Sequence, residues 1–227
     1  MTFEKYKNLH KDERCFIIGS GPSLLEEDLS LLENERVMIC NKGWELENLG
    51  LKKYDYYFLC DPRIAHNDDI INKIKNKVKA DRFYHSAIKQ NIKQLVNPED
   101  LILPISSNSK HIRDQFPNSY YDGWKQAASV VINMIVVAFF MGFSKIYLLG
   151  VDCNYDDPNL KNLHFYKDDE REKKWLKEHK GANVKGTLNT LKSLDRNLKQ
   201  RGCSLINLSS GFKHKDCMKT DILNKIL

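Results

Sequence analysis

Short apolar runs alternate along the chain with longer segments in which apolar residues repeat at helical spacing. Seven runs predict buried strands, at Cys15–Ile18, Val37–Cys40, Tyr56–Cys60, Arg82–Tyr84, Leu101–Pro104, Lys145–Asp152 and Ser204–Leu208. Two later segments predict helices, an apolar one at about Lys125–Met141 and an amphipathic one with Val184, Leu188, Leu191, Leu194 and Leu198 on one face. Strands that alternate with helices predict an α/β fold with a mostly parallel sheet covered on both sides.

The first apolar run ends in a glycine turn, Gly19-Ser20-Gly21-Pro22-Ser23. Gly19 and Gly21 can take the positive φ angles and the close backbone approach that a tight turn needs, and Pro22 suits the first position of a helix. The free amides of a helix start carry partial positive charge, so the turn is a candidate phosphate site. It lacks the third glycine of a dinucleotide fingerprint and the lysine of a Walker loop, so an ordinary strand-to-helix turn explains it equally well.

Polar residues lie at or directly after the ends of several other predicted strands: Asn41, Asp61, Asp152 and the segment Asn207–Ser210. The carboxyl ends of parallel strands share one edge of a sheet, and ligands bind there where the strand order reverses. These residues and the glycine turn therefore predict one nucleotide-sized site.

Composition narrows the class of protein. The net charge of +6 favours anionic ligands or an anionic membrane surface. The lysines at 72–79 alternate with apolar residues as on an amphipathic helix, so no nucleic-acid partner is expected. Six scattered cysteines without a Cys-x-x-Cys pair indicate buried thiols, not a disulfide framework or a zinc site.

The location is expected to be cytoplasmic, because no secretory signal is visible at the start of the sequence. The apolar stretch Val130–Phe143 is shorter than the roughly 18 residues that span a bilayer. The basic C-terminal region allows peripheral contact with the inner face of a membrane, although a solvated tail explains it too. The sequence is compatible with both a monomer and a homo-oligomer.

Several motifs in this order resemble a known group: Gly19–Leu24, Cys40-Asn41, Asp61-Pro62, Lys145–Asp152, His164-Phe165-Tyr166 and Ile206–Ser210. The chain resembles the bacterial sialyltransferases of glycosyltransferase family 42 and the related MptE-like domains of polysaccharide-biosynthesis proteins. The resemblance implies a single Rossmann-like, three-layer domain over residues 1–227, a variant of the GT-A fold. Its implied activity is inverting transfer of a sialic-acid-like sugar from a CMP-activated donor to a glycan hydroxyl, with no cofactor or metal required.

The resemblance also implies roles for single residues. Ser20, Gly21 and Asn41 would contact the CMP phosphate and ribose, and Asp152 would lie near the nucleotide. Their place at the strand ends, rather than the resemblance, adds further nucleotide-binding candidates: Gly19, Pro22, Ser23, Asp61, Asn207 and Ser209. Ser129, at the start of the apolar helix, would contact the nucleotide or the sugar carboxylate. Tyr155 and Tyr166 would donate hydrogen bonds to the departing phosphate, where charge develops in the transition state.

The acceptor hydroxyl must lose a proton, and histidine has the intrinsic pKa for this task near neutral pH. His179 precedes the last amphipathic helix, about where the catalytic histidine of family 42 falls, but the match needs a gap. His164 belongs to the His-Phe-Tyr triplet typical of the MptE-like branch. The sequence places His179 first and His164 second as the base, and either could instead be a solvated or structural histidine.

The segment at about 155–181 is strongly charged and contains both histidines. It predicts a mobile lid that orders over the bound donor, or alternatively an exposed helix with charge pairs four residues apart.

Two positions depart from the family 42 pattern, because Ser20 and Asp61 stand where asparagine is usual. An aspartate repels phosphate unless a cation lies between them, and Asp61 with Asp152 could hold magnesium. The alternative function is therefore an ATP-dependent, magnesium-dependent MptE-like diphosphotransferase. A non-catalytic nucleotide-binding module is the third hypothesis.

Overall fold

The computed structural model describes residues 2–65, 67–88, 92–93, 95–125, 129–157, 159–160, 162–179 and 182–227. One sheet of eight strands has the order β5-β4-β3-β2-β1-β6-β7-β8, and every neighbouring pair is parallel. The strands are β1 Arg14–Ile18, β2 Arg36–Cys40, β3 Tyr56–Leu59, β4 Asp81–His85, β5 Leu101–Leu103, β6 Lys145–Leu149, β7 Ser204–Asn207 and β8 Lys219–Thr220. The predicted α/β class and parallel sheet are confirmed.

Five α-helices accompany the sheet within the described ranges. They are α1 Pro62–Ala65, α2 Asp68–Lys77, α3 Val130–Phe140, α4 Glu170–His179 and α5 Ala182–Lys199. Ser129 is the N-cap of α3, where its side chain accepts a hydrogen bond from the amide of Val131. The apolar helix therefore starts about five residues later than its hydrophobicity predicts.

Side chains of each central strand alternate between two hydrophobic cores, one on each face of the sheet. Cys15 and Ile17 pack on the face covered by α3 and α5, and Phe16 and Ile18 pack on the opposite face. Two covered faces explain why the strands are continuous apolar runs rather than alternating ones. All six cysteines are buried and free, as the sequence predicts.

Two elements differ from the sequence prediction. The helix after the glycine turn is a five-residue 3-10 helix, Pro22–Glu26. The basic C-terminal region contributes β8, a two-residue strand that pairs with β7, and two residues are too few to show any periodicity. In the part of the chain that the structure describes, no helix combines the length and apolar character that crossing a membrane requires.

Candidate functional site

The strand order reverses between β1 and β6. We call the edge formed there by the carboxyl ends of the strands the crevice, because parallel sheets bind ligands at this position. Ile18 of β1 is in register with Ile39 of β2 and Leu149 of β6, so these three strands end at one level. Strands β3, β2, β1, β6 and β7 are adjacent in the sheet. The predicted residues lie at their carboxyl ends: the glycine turn after β1, Asn41 after β2, Asp61 after β3, Asp152 after β6, and Asn207 as the last residue of β7. The structure thus brings these predicted residues to one edge, at the position where α/β sheets bind ligands.

The glycine turn packs directly on the backbone that follows β6. The amide of Gly19 donates to Leu149 O and that of Gly21 to Gly150 O, both at 2.8 Å. A Cβ atom on Gly19 would lie 2.4 Å from Gly150 O. Neither glycine uses its capacity for a positive φ angle. Glycine is required at these positions because the backbone of the turn packs closely on the backbone at Leu149 and Gly150.

The amides of this turn are largely occupied within the protein. Besides Gly19 and Gly21, the amide of Ser23 donates to Asp152 Oδ2 at 3.0 Å. Pro22 has no amide hydrogen, and among the described contacts of the turn only the amide of Ser20 has no acceptor. The expected row of free amides for a phosphate is therefore wrong, because backbone and Asp152 acceptors already fill those positions.

Asp152 joins the ends of three strands. Its Oδ1 accepts a 2.5 Å hydrogen bond from the hydroxyl of Ser23, while Oδ2 accepts from the Ser23 amide. A Cβ atom on Gly21 or Gly211 would lie 2.5 or 2.8 Å from this carboxyl group, so both positions must be glycine for Asp152 to fit. Burial raises the pKa of Asp152, and the two hydrogen bonds from Ser23 oppose that shift. Because both oxygens bind Ser23, Asp152 has a structural role, and the predicted magnesium pair with Asp61 gains no support.

Asn207 and Ser209 are also structural. Asn207 is fully buried; its Nδ2 donates to Val151 O at 3.0 Å and its Oδ1 accepts from the Ser209 amide at 2.9 Å. The Ser209 hydroxyl accepts from the Val151 amide at 2.8 Å. This reciprocal set of bonds ties the end of β6 to the end of β7. The side chain of Asn207 is buried and makes its hydrogen bonds internally, so the structure adds no support to the prediction that it contacts a nucleotide.

Asn41 presents an unused acceptor to the crevice edge. Its backbone is left-handed, with φ of 53°, and is fixed by bonds from its amide to Phe58 O and from the Tyr57 hydroxyl to its carbonyl. Asparagine tolerates this conformation better than most residues. The Oδ1 atom is buried and has no hydrogen-bond donor among the described residues. A buried acceptor without a donor is costly, which makes Asn41 suited to a hydroxyl or amino group of a ligand.

Asn154 shares this property, and sequence reasoning missed it. Its Oδ1 is likewise buried without a donor among the described residues. It follows Cys153, a non-glycine residue with a φ of 50°. Its place two residues after Asp152, beyond the end of a buried strand, is the sequence signal that could have identified it.

Residues 163–172 lie against the glycine turn and the end of β2. The amide of Phe165 donates to Ser20 O at 3.0 Å. Lys42 Nζ lies 3.0 Å and 3.1 Å from the two carboxylate oxygens of Glu172, and 4.6 Å from the centre of the Tyr166 ring. These contacts hold the His-Phe-Tyr triplet over the first two strands.

His164 and Asp168 form a close pair within this segment. His164 Nδ1 is 2.5 Å from Asp168 Oδ1, and Asp168 Oδ2 accepts from the Leu163 amide at 2.9 Å. Burial opposes ionisation of Asp168, but the hydrogen bonds from His164 and Leu163 outweigh it, so the pKa of Asp168 is lowered. The carboxylate is therefore charged at neutral pH and faces an imidazole whose other nitrogen is not used by the pair.

The two predicted tyrosines lie in the same region. Burial is the main cause that raises the pKa of both Tyr155 and Tyr166, and nearby groups including Cys40 and Asp168 add to the shift. Both hydroxyls therefore keep their protons at neutral pH and can donate hydrogen bonds. Tyr166 stacks on the His164 ring, with centroids 4.7 Å apart and planes 9° from parallel.

Three side chains here have the spacing of metal ligands. The donor atoms of His164, Asp168 and Glu172 lie within 4.8 Å of one another. However, the ammonium group of Lys42 contacts both oxygens of Glu172 and supplies positive charge at this place. The ion pair between Lys42 and Glu172 therefore accounts for this cluster of donor atoms without a metal ion.

Three predicted site residues remain: Ser129, Asp61 and His179. Ser129 caps α3, and the carbonyl of Asp61 accepts from the Ala65 amide at the start of α1. His179 is the last residue of α4, and its side chain lies outside the described part of the chain. The residues around it that include Lys180 and Gly181 are not described either.

Comparison with solved structures shows the fold. The sialyltransferase CstII from Campylobacter jejuni, in complex with the substrate analogue cytidine-5'-monophosphate, is similar with a TM-score of 0.56 and 17% identity, covering 92% of this chain and 85% of that chain. An apo α-2,3-sialyltransferase from Campylobacter jejuni has a TM-score of 0.53 and 18% identity, covering 95% and 84%. The fold is thus that of the GT-A-like sialyltransferases.

A longer protein also contains this fold. The Maf glycosyltransferase from Magnetospirillum magneticum AMB-1 is similar with a TM-score of 0.56 and 16% identity, over 100% of this chain but only 38% of that chain. No curated protein sequence matches the chain. The protein-family model described as 6-hydroxymethylpterin diphosphokinase MptE-like matches residues 1–158. The sequence motifs, the parallel sheet and this match agree, and the chain belongs to the 6-hydroxymethylpterin diphosphokinase MptE-like family.

Proposed function

We propose that the protein is a glycosyltransferase that moves an acidic, sialic-acid-like sugar from a CMP-activated donor to a hydroxyl of a glycan. The observation that carries the proposal is the docking of the His-Phe-Tyr triplet on the glycine turn, through the bond from the Phe165 amide to Ser20 O. It brings a histidine and a tyrosine to the crevice where parallel sheets bind nucleotides. The fold shared with CstII, described in complex with cytidine-5'-monophosphate, supports the choice of nucleotide.

The crevice offers polar groups that match a nucleoside monophosphate ester. The Oδ1 atoms of Asn41 and Asn154, which have no donor in the part of the chain that the structure describes, accept hydrogen bonds from ribose hydroxyls or from the amino group of the base. The hydroxyls of Tyr155 and Tyr166, which stay protonated, donate to the phosphate as it departs. Donors aimed at charge that develops in the transition state lower the barrier more than groups that bind the ground state.

The transfer needs one base and no redox partner. The acceptor oxygen attacks the anomeric carbon of the sugar while the bond from that carbon to the phosphate oxygen breaks. The proton of the acceptor hydroxyl passes to Nε2 of His164, and CMP leaves with the electron pair of the broken bond. Attack opposite to the leaving group inverts the configuration at the anomeric carbon. His164 is favoured because a buried carboxylate orients it, and His179 is the second candidate.

Nucleotide binding tests the proposal most simply. The thermal midpoint should rise with CMP in the presence of EDTA, because a ligand that binds only the folded state stabilises it. CDP and ATP, each with and without magnesium, serve as comparison ligands. No shift with any cytidine nucleotide would contradict the proposal.

The identity of the base is tested by replacing each histidine separately. His164→Ala should abolish sugar transfer while CMP still raises the thermal midpoint, and His179→Ala should retain transfer. Loss of transfer in His179→Ala alone would move the role to His179. Unchanged turnover in both variants would reject a histidine base.

The family match supports a second candidate, an ATP-dependent diphosphotransferase that requires magnesium. Against it, both oxygens of Asp152 already bind Ser23. Under this alternative, ATP with magnesium should stabilise the protein and CMP should not. The same titration therefore separates the two functions.

A further inference from the structure

We infer that Asp168 is a positioning residue for His164, holding the imidazole with its proton on Nδ1 so that Nε2 faces the crevice as the basic nitrogen. The inference concerns the internal geometry of the pair, and its catalytic consequence rests on the proposed function. Sequence reasoning did not include Asp168 among the site residues.

The geometry is that of an oriented pair. Asp168 Oδ1 lies 2.5 Å from His164 Nδ1, and the other oxygen is fixed by the Leu163 amide at 2.9 Å. Only 6% of the Asp168 side chain and 19% of the His164 side chain are exposed, so water competes little for this bond. A carboxylate held at both oxygens cannot rotate away from the ring.

Neighbouring groups restrict the ring further. The Tyr166 ring stacks on the His164 ring, with the two centroids 4.7 Å apart. Lys42 Nζ in turn lies 4.6 Å from the centroid of the Tyr166 ring. Glu172 is occupied by Lys42 and not by His164. Asp168 is therefore the carboxylate that orients the imidazole.

This arrangement decides which nitrogen can accept a proton. An ionised carboxylate only accepts hydrogen bonds, so the ring nitrogen that faces it must carry hydrogen. The neutral imidazole then has its lone pair on Nε2. When Nε2 takes the acceptor's proton, Nδ1 keeps its hydrogen bond to the carboxylate, so the ring stays oriented during the transfer.

Nuclear magnetic resonance reads the tautomer without any assay of activity. In the full-length protein labelled with ¹⁵N-histidine, His164 is identified as the resonance missing from His164→Gln. At a pH where the ring is neutral, we expect the signature of hydrogen on Nδ1. A proton on Nε2 in the wild-type protein would overturn the inference.

Asp168→Asn removes the charge while keeping a similar shape. Its amide group can either accept from or donate to Nδ1, so the tautomer preference should weaken. Glu178→Gln is the matched control, because it neutralises a half-exposed carboxylate on α4 that pairs only with Lys174 among the described residues. The control should leave the His164 resonances unchanged, and an equal change in both variants would contradict the inference.

Kinetics then test the catalytic consequence. A general base contributes roughly 10²- to 10⁴-fold to a rate, so Asp168→Asn should lower kcat by about 10-fold or more with KM for the donor changed less than about twofold. Asp168→Glu should restore part of the loss if it restores the tautomer. A normal kcat in Asp168→Asn would refute the positioning role. If the tautomer is as expected but no CMP-sugar is consumed, the proposed function fails and the positioning of His164 stands.

Discussion

Single residues in the crevice have two kinds of task, and the structure separates them. Asp152, Asn207 and Ser209 join strand ends, whereas Asn41 and Asn154 keep unused acceptors. The sequence places all of them after strands, but it cannot show which are occupied. Ser23 and Asp152, for example, are 129 residues apart in the chain, and their contact depends on the adjacency of β1 and β6.

The fit between Gly21 and Asp152 can be tested by stability. In Gly21→Ala the new Cβ would lie 2.5 Å from Asp152 Oδ2, so the variant should lose about 1–3 kcal/mol of unfolding free energy through overpacking. Gly186→Ala is the matched control, because a Cβ there meets open space on α5. It should gain about 0.5–1 kcal/mol from helix propensity. Urea unfolding measures both, and an equal effect at the two positions would argue against a tight fit.

His10 should make stability depend on pH. It is buried, stacks on Phe143 and lies 2.6 Å from the Tyr56 hydroxyl. Burial lowers its pKa below the usual 6.5, an effect that Glu13 opposes only partly. The unfolded chain therefore binds a proton at a higher pH than the folded protein, and stability falls as the pH drops below about 6.5.

Unfolding free energies at pH 7.5 and 5.5 provide the measurement. The wild-type protein should lose more stability between these values than His10→Gln, which has no group to titrate at this position. The difference amounts to at most about 1.4 kcal/mol for each unit by which the pKa is lowered. Parallel pH dependences in the two proteins would show that His10 is not responsible.

At the scale of elements, the seven strands found in the sequence all exist, because buried parallel strands leave a continuous apolar signal. The 3-10 helix Pro22–Glu26 and the strand β8 are too short to have a readable period. Docking of the segment 163–172 was not predictable either. It depends on Lys42 and Glu172, which are 130 residues apart.

Two ion pairs involve carboxylates of α4, and we expect only the buried one to hold the segment 163–172 in place. Lys42 and Glu172 are only 13% and 14% exposed, whereas Lys174 and Glu178 are 78% and 53% exposed. Removing one partner of a buried pair leaves the other charge uncompensated, but exposed pairs contribute little. Glu172→Gln should therefore speed amide hydrogen exchange in residues 163–172, and Glu178→Gln should not. Equal exchange in both variants would show that Lys42 does not hold the segment.

At the scale of the whole molecule, the fold determines where the crevice lies. Its two hydrophobic cores and parallel sheet follow from the sequence pattern, and the positions of its strand ends follow from the fold. The hydrogen bonds of the crevice residues join segments that are distant in the chain. The sequence therefore predicts where the crevice lies, but not which of its side chains are already bonded within the protein. The charge of +6 is compatible with an anionic donor and does not identify it.

A crystal structure of the protein with CMP, grown without divalent cations, tests the central proposal most directly. We predict density for the nucleotide at the carboxyl ends of β1, β2 and β6, with the Asn41 Oδ1 atom accepting a hydrogen bond and the phosphate within reach of the Tyr155 or Tyr166 hydroxyl. A nucleotide bound at another surface, or an empty crevice at saturating CMP, would contradict the proposed donor site.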